Sequence, residues 1–144
     1  MLWVSLLFLT AVGLESLTRR PFLATYFGVI FGLILGGRRL KVYLYEVPRL
    51  PAVGFRAAAQ TWGETVLVTP ESMKTSYTPK LLEHEACHVR QYRRLTSFGF
   101  WLLYLAQWLR SLFRTRNAFQ AYLDIPLELE ARAAERSAQL VQSA

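Results

Sequence analysis

Cysteine and histidine are nearly absent from this chain, with one cysteine and two histidines among its 144 residues. A single cysteine excludes an intrachain disulfide and gives no support to an oxidising compartment. Charge is also sparse: 19% of residues are charged and 53% are apolar, a balance richer in apolar side chains than an ordinary soluble domain. Acids are the scarcer sign, 10 against 17 basic residues, for a formal net charge of +7. No motif that reads duplex or single-stranded nucleic acid accompanies that excess, so nucleic acid is not an expected partner. Beside apolar segments, the excess reads as attraction to membrane lipid headgroups. There is no internal repeat and no low-complexity tail, and the length suits one compact domain.

What is present in quantity is apolar sequence near the start. Residues 2–17 form a run containing one acid, Glu15, broken by Thr18-Arg19-Arg20-Pro21. Residues 22–35 form a second run, closed by Gly36-Gly37-Arg38-Arg39-Leu40-Lys41. Each lies near the lower limit of about 17 residues for crossing a bilayer. The first has no basic residue ahead of it and no small-x-small cleavage site, so it does not read as a signal peptide. The expectation is a membrane-anchoring helical hairpin over residues 1–40, with Pro21 in the first turn of its second helix. A pair of buried core helices is the alternative. Arginines flank both ends of the second helix, so the positive-inside rule gives no vote. The basic remainder and the lack of disulfides place residues 41–144 on the cytoplasmic side of a membrane.

β character follows. Val42-Tyr43-Leu44-Tyr45 is β-branched and aromatic and stops before Pro48. Residues 65–69 read as a strand ended by Pro70, preceded by a turn at Trp62-Gly63-Glu64, with residues 53–59 as a partner. Two or three strands in a small sheet are expected. From Pro79 onward the chain reads as helix. Thr78 serves as N-cap of a helix running to about Leu95, an apolar and aromatic stretch covers residues 98–113, and a last helix starts near Asp124-Ile125-Pro126 and runs towards Leu140. The middle stretch fits a membrane-embedded helix, an interfacial one, or one packed under a site. The fold class is α+β, mostly helical.

Both histidines fall in one short motif, His84-Glu85-Ala86-Cys87-His88. Four residues advance a helix by about 400°, which sets His84 and His88 one above the other, where their imidazoles can converge on one zinc ion. Glu85 is rotated by about 100° from His84 and can reach a zinc-activated water as general base without binding the metal. Cys87 reads as a buried packing residue. Gln91, a further turn along the histidine face, either binds the metal or caps the cleft. A zinc hydrolase needs a third protein ligand and an open fourth position. With no third histidine, that ligand comes from the later acids Asp124, Glu128, Glu130 and Glu135. Asp124 reads as a helix cap, and Glu135 as a solvated acid beside Arg132 or Arg136. Glu128 and Glu130 lie about 200° apart on a helix, so only one can face the metal. Glu130 shares a face with Ala133, Ala134, Ser137 and Val141; Glu128 lies with Arg132, Glu135 and Gln139. The wheel leaves both open.

These motifs resemble the gluzincins, metallopeptidases in which His-Glu-x-x-His on one helix is joined by a glutamate from a later one. Among these it is similar to small membrane-associated members whose pattern matches His84 to Tyr92, an apolar helix at residues 98–113, Tyr122, and Pro126-Leu127-Glu128-Leu129-Glu130-Ala131. The likeness covers the C-terminal half. It implies a minimal zincin-like domain over residues 41–144, with an active-site helix followed by a ligand helix. In the prenyl-protein-peptidase branch the ligand glutamate is followed three residues on by alanine and four on by a histidine-orienting aspartate. Glu128 with Ala131 fits that register, whereas Arg132 stands in place of the aspartate. The resemblance therefore implies His84, His88 and Glu128 as zinc ligands, residues 65–69 as the edge strand that pairs with substrate, and Tyr122 as stabiliser of the oxyanion. The expected function is membrane-associated, zinc-dependent hydrolysis of a protein or peptide substrate. The competing readings are a non-catalytic membrane adaptor or structural protein with a bracing zinc site, and zinc hydrolysis of a lipid or other non-peptide substrate.

Overall fold

A computed structural model describes residues 2–50, 57–74 and 78–142. Two apolar helices open the chain, α1 (Leu2–Thr18) and α2 (Phe22–Ile34), as the hydrophobic runs predict. Arg19, with φ +56°, breaks the chain between them, and Pro21 occupies the N-cap of α2 and not its first turn. Among the described residues no helix is long and apolar enough to cross a membrane.

Four strands follow among the described residues: β1 (Arg38–Lys41), β2 (Leu44–Glu46), β3 (Ala59–Trp62) and β4 (Thr65–Val68), in the order β1-β2-β4-β3. This is one more than the two or three expected. The extra strand is the basic segment Arg38–Lys41, which pairs antiparallel with β2 through a turn at Val42 and Tyr43. The aromatic stretch is thus split between a turn and a strand. β3 and β4 form a hairpin around Gly63 and Glu64. Gly63 has φ +64°, and a Cβ there would lie 2.4 Å from the Thr25 amide nitrogen, so both the turn and the approach of α2 require glycine. The partner of β4 is Ala59–Trp62; the earlier part of the expected partner, residues 53–56, lies outside the described residues.

Alternation along the strands gives the sheet two faces. Tyr45 and Leu67 pack with Val29 and Phe31 of α2 and with Leu35 just beyond its end on one side. Val66, Val68 and Ala59 pack with Leu81 of the main helix on the other. Gly28 and Gly32 let α2 close on the sheet: a Cβ at Gly28 would fall 2.6 Å from the Thr65 Cβ.

After a short helix α3 (Pro70–Met73), the helix α4 (Thr78–Thr115) supplies both the motif segment and the apolar stretch, as two arms meeting at a non-helical Thr96 with φ +64°. The residue before Thr78 lies outside the described residues, so the helix is seen from Thr78 itself. Next come α5 (Ala118–Leu123), capped by the Asn117 side chain, and α6 (Pro126–Gln142), which packs along both arms of α4. Asp124 does not cap α6 with its side chain; its carboxylate accepts from Gln120, Arg114 and Ser111 and ties α5 to the end of α4.

The one acid in the first apolar run explains how these helices hold together. Glu15 is 1% exposed. Its carboxylate accepts from the backbone N–H of Leu23, at the start of α2, and from the N–H and hydroxyl of Ser97, at the start of the second arm of α4. The Ser97 hydroxyl oxygen in turn accepts from the Ala24 N–H at 2.9 Å. One carboxylate therefore satisfies the free donors at two helix starts, where its charge is also favoured by the helix dipoles. Glu15→Ala strands these donors, at about 1–3 kcal/mol for each group left buried without a partner. Urea unfolding should show a loss of about 3 kcal/mol or more for alanine and a smaller loss for glutamine, which keeps one acceptor.

Candidate metal centre

Periodicity along the first arm of α4 divides its side chains between two neighbours. Leu81 and Glu85, one turn apart, face the sheet; His84, His88 and Gln91 face α6. On α6 the buried residues Leu127, Glu128 and Ala131 face back. This rotation decides between the two glutamates. Glu128 is 4% exposed and lies 3.4 Å from the Nε2 atoms of both His84 and His88, through its Oε2 and Oε1 respectively. Glu130 faces outward and accepts from Arg94 and Gln91.

His84, His88 and Glu128 can hold a metal ion. Their ligand atoms are separated by 3.2 Å between the two Nε2 atoms and by 3.4 Å from each Nε2 to the carboxylate. Four ligands at about 2.0 Å around a tetrahedral ion stand about 3.3 Å from one another, so the spacing fits such an ion. Among the described residues no further histidine, cysteine or acid joins the group. Cys87 is buried beside Gln91, and burial pushes its thiol pKa up, which disfavours the thiolate a ligand would need.

The hydrogen bonds behind the ligands set the tautomers. Gln91 donates through Nε2 to the Leu127 carbonyl and to Glu130, so its Oε1 is the atom 2.8 Å from His88 Nδ1. His88 therefore donates from Nδ1, and a neutral ring presents its Nε2 lone pair to the cluster. Gln91 is not in the cluster and does not cap the cleft; it orients the His88 ring. His84 Nδ1 lies 3.6 Å from Glu135 Oε2, so Glu135, expected to be a solvated acid, is largely shielded and faces the site. Two Nε2 lone pairs this close repel unless a cation lies between them, either a proton or a metal. In the metal-free chain Glu128 supports the proton. Burial alone would push His88 down, but the hydrogen bond and charge of Glu128 outweigh it and raise the His88 pKa. Burial would likewise raise Glu128, yet its bonds with His84, His88 and Tyr104 hold it far below the usual carboxylate range.

Tyr104 and Tyr122 both donate to Glu128, at 2.8 and 3.3 Å, and burial followed by the Glu128 charge raises the pKa of each. Glu85 is buried beside the cluster, and burial raises its pKa against the opposing effects of His88 and Thr61. The Thr61 hydroxyl is 2.6 Å from Glu85 Oε2. It points there because Thr61 lies opposite Val66 in the hairpin and shares the sheet face turned towards α4. Residues 65–69 are not an edge strand: β4 pairs with β2 on one side and β3 on the other, which uses its backbone groups. The edge strand at the site is β3.

These groups open into a cleft of about 680 Å³ between β3, α4, α5 and α6. Its charged lining residues all belong to the cluster or to Glu85; apart from Gln60 and Thr61 the rest is aromatic or apolar, including Trp62, Trp101, Trp108 and Phe119. Sequence reasoning missed Thr61, Tyr104 and the role of Glu135. Of these only Glu135 had a local signal, its place on the Glu128 face of the last helix. Compared with known proteins, the chain matches no protein family, no curated protein and no solved structure.

A metal ion must displace the proton that Glu128 helps His88 retain. Because the His88 pKa is raised above 6.5, that proton is still held where a free imidazole would have lost it. Divalent-ion affinity should therefore still be climbing above pH 6.5, by up to about tenfold per pH unit, and level off only once His88 is neutral. Competition titrations with a chelator at a series of pH values would check it.

Proposed function

We propose that this protein is a membrane-associated zinc-dependent peptidase, with His84, His88 and Glu128 as the zinc ligands and Glu85 as the general base. The observation that carries the reading is a pair of imidazole nitrogens 3.2 Å apart, each 3.4 Å from one oxygen of the Glu128 carboxylate, with a second buried carboxylic side chain beside them at the wall of an open cleft. The donor set of two imidazoles and one carboxylate suits zinc, which when bound would acidify a water molecule and polarise a substrate carbonyl. Glu85 takes the proton from the attacking water and passes it to the leaving amine; burial has moved its pKa in the direction that suits this exchange. Thr61 fixes the position of that carboxylate. Tyr122, the more weakly bound of the two hydroxyls on Glu128, is the donor we assign to the developing oxyanion.

A catalytic site is favoured over a bracing one because the cluster has three protein ligands among the described residues and borders the cleft. A bracing site would be closed by a fourth. Extended substrate would lie along β3, whose outer edge borders the cleft. The cleft walls favour peptides with a large apolar side chain next to the cleaved bond. Support for membrane association comes from the second arm of α4, where Phe98, Leu102, Leu105, Leu109 and Phe113 form an exposed apolar stripe at helical spacing. Exposed Arg110, Arg114 and Arg116 near its end suit anionic headgroups.

Purified protein should contain about one zinc per chain. Glu85→Gln should keep the metal while cleavage falls by about 10²–10⁴-fold. A wild-type chain that takes up no zinc removes the reading. Leu105 and Phe119 are 51% and 54% exposed at the cleft, so charged substitutions there should leave the fold intact. Leu105→Asp or Phe119→Asp should lower kcat/KM by about tenfold or more for peptides with Leu or Phe at the cleaved bond. Assay against a paired set of apolar and lysine-bearing peptides would measure it.

A further inference from the structure

His84 and His88 are served by different partners, and the partner of His84 is not where the resembled pattern puts one. Four residues after Glu128 stands Arg132, whose guanidinium has no acceptor and cannot receive a proton from an imidazole. Its side chain donates instead to the Leu123 carbonyl and lies 4.0 Å from Glu128. One turn further along the same face of α6, Glu135 places Oε2 3.6 Å from His84 Nδ1, and both side chains are largely shielded, at 16% and 14% exposure. A carboxylate at Nδ1 accepts only. It favours the ring form with hydrogen on Nδ1, which leaves the Nε2 lone pair directed at His88 and Glu128.

Resting on the metal reading above, we propose that Glu135 is the positioning residue for His84: it selects the Nδ1–H tautomer and strengthens the ring as a metal ligand. The two ligating imidazoles are then held unequally, His88 by the neutral amide of Gln91 and His84 by a charged carboxylate. A charged partner makes the ring more electron-rich than an amide does, so His84 is the stronger donor of the pair.

The full chain, with Glu135→Ala, Glu135→Gln and the control Arg136→Gln, tests this by two measurements. The first is the zinc dissociation constant from chelator competition. The second is the His84 tautomer from ring ¹⁵N shifts of the metal-free protein. Glu135→Ala should weaken zinc binding by about 10–100-fold and shift His84 away from the Nδ1–H form. Glu135→Gln should keep the tautomer, because its amide oxygen still accepts, but lose part of the affinity. Arg136 is exposed on the same helix, and its variant should change neither. Zinc affinity within about twofold of wild type in Glu135→Ala, with an unchanged tautomer, overturns the assignment. If the alanine variant does not fold, an unchanged affinity in the isosteric glutamine variant overturns it equally. A wild-type chain without zinc affinity removes the metal reading, and the tautomer comparison in metal-free protein still decides whether Glu135 orients His84.

Discussion

Two imidazole nitrogens 3.2 Å apart cannot both present bare lone pairs to each other; a proton or a metal ion must lie between them. The surrounding structure is organised around that requirement. Glu128 approaches both nitrogens to 3.4 Å, so whatever cation occupies the gap meets a carboxylate that burial alone would neutralise and that hydrogen bonds keep ionised. Tyr104 and Tyr122 donate to it. The arrangement works because α4 and α6 hold their facing sides in register, through Leu127 and Ala131 on one helix and Tyr92 and Phe100 on the other.

The scaffold beneath that contact is held by a second buried carboxylate. Glu15 joins the starts of α2 and of the second arm of α4, and Thr96 gives the long helix its break at the same point. The break redirects the second arm so that Tyr104 reaches Glu128 and the aromatic residues line the cleft. The sheet contributes from the other side, where β3 brings Thr61 against Glu85. Glu85, the cluster of His84, His88 and Glu128, and the donors around them thus come from a strand and three helices.

Much of the helical framework was readable along the chain. The apolar runs became α1 and α2, both arms of α4 fell where expected, and α6 began at Pro126. The strands were less legible. Arg38–Lys41 is charged and exposed and carries no β pattern; it becomes a strand because β2 offers it a free edge. The resemblance offered residues 65–69 as an edge strand, and alternation along them could not correct it, because it describes two faces and is silent about the neighbours on either side. Glu135 looked like a wet acid because the wheel shows a face without saying what lies against it.

By itself the sequence determined that His84 and His88 share a helix face and that Glu85 lies to one side of it. These are consequences of a 3.6-residue period acting over less than two turns. Only the tertiary structure decided that Glu128 and not Glu130 meets them, that β3 is the exposed edge, and that Glu15 is a structural acid. Each of those depends on how one element is rotated or ordered against another, and that is settled by burial of Leu127, Ala131 and the sheet faces between parts of the chain that carry no local record of one another.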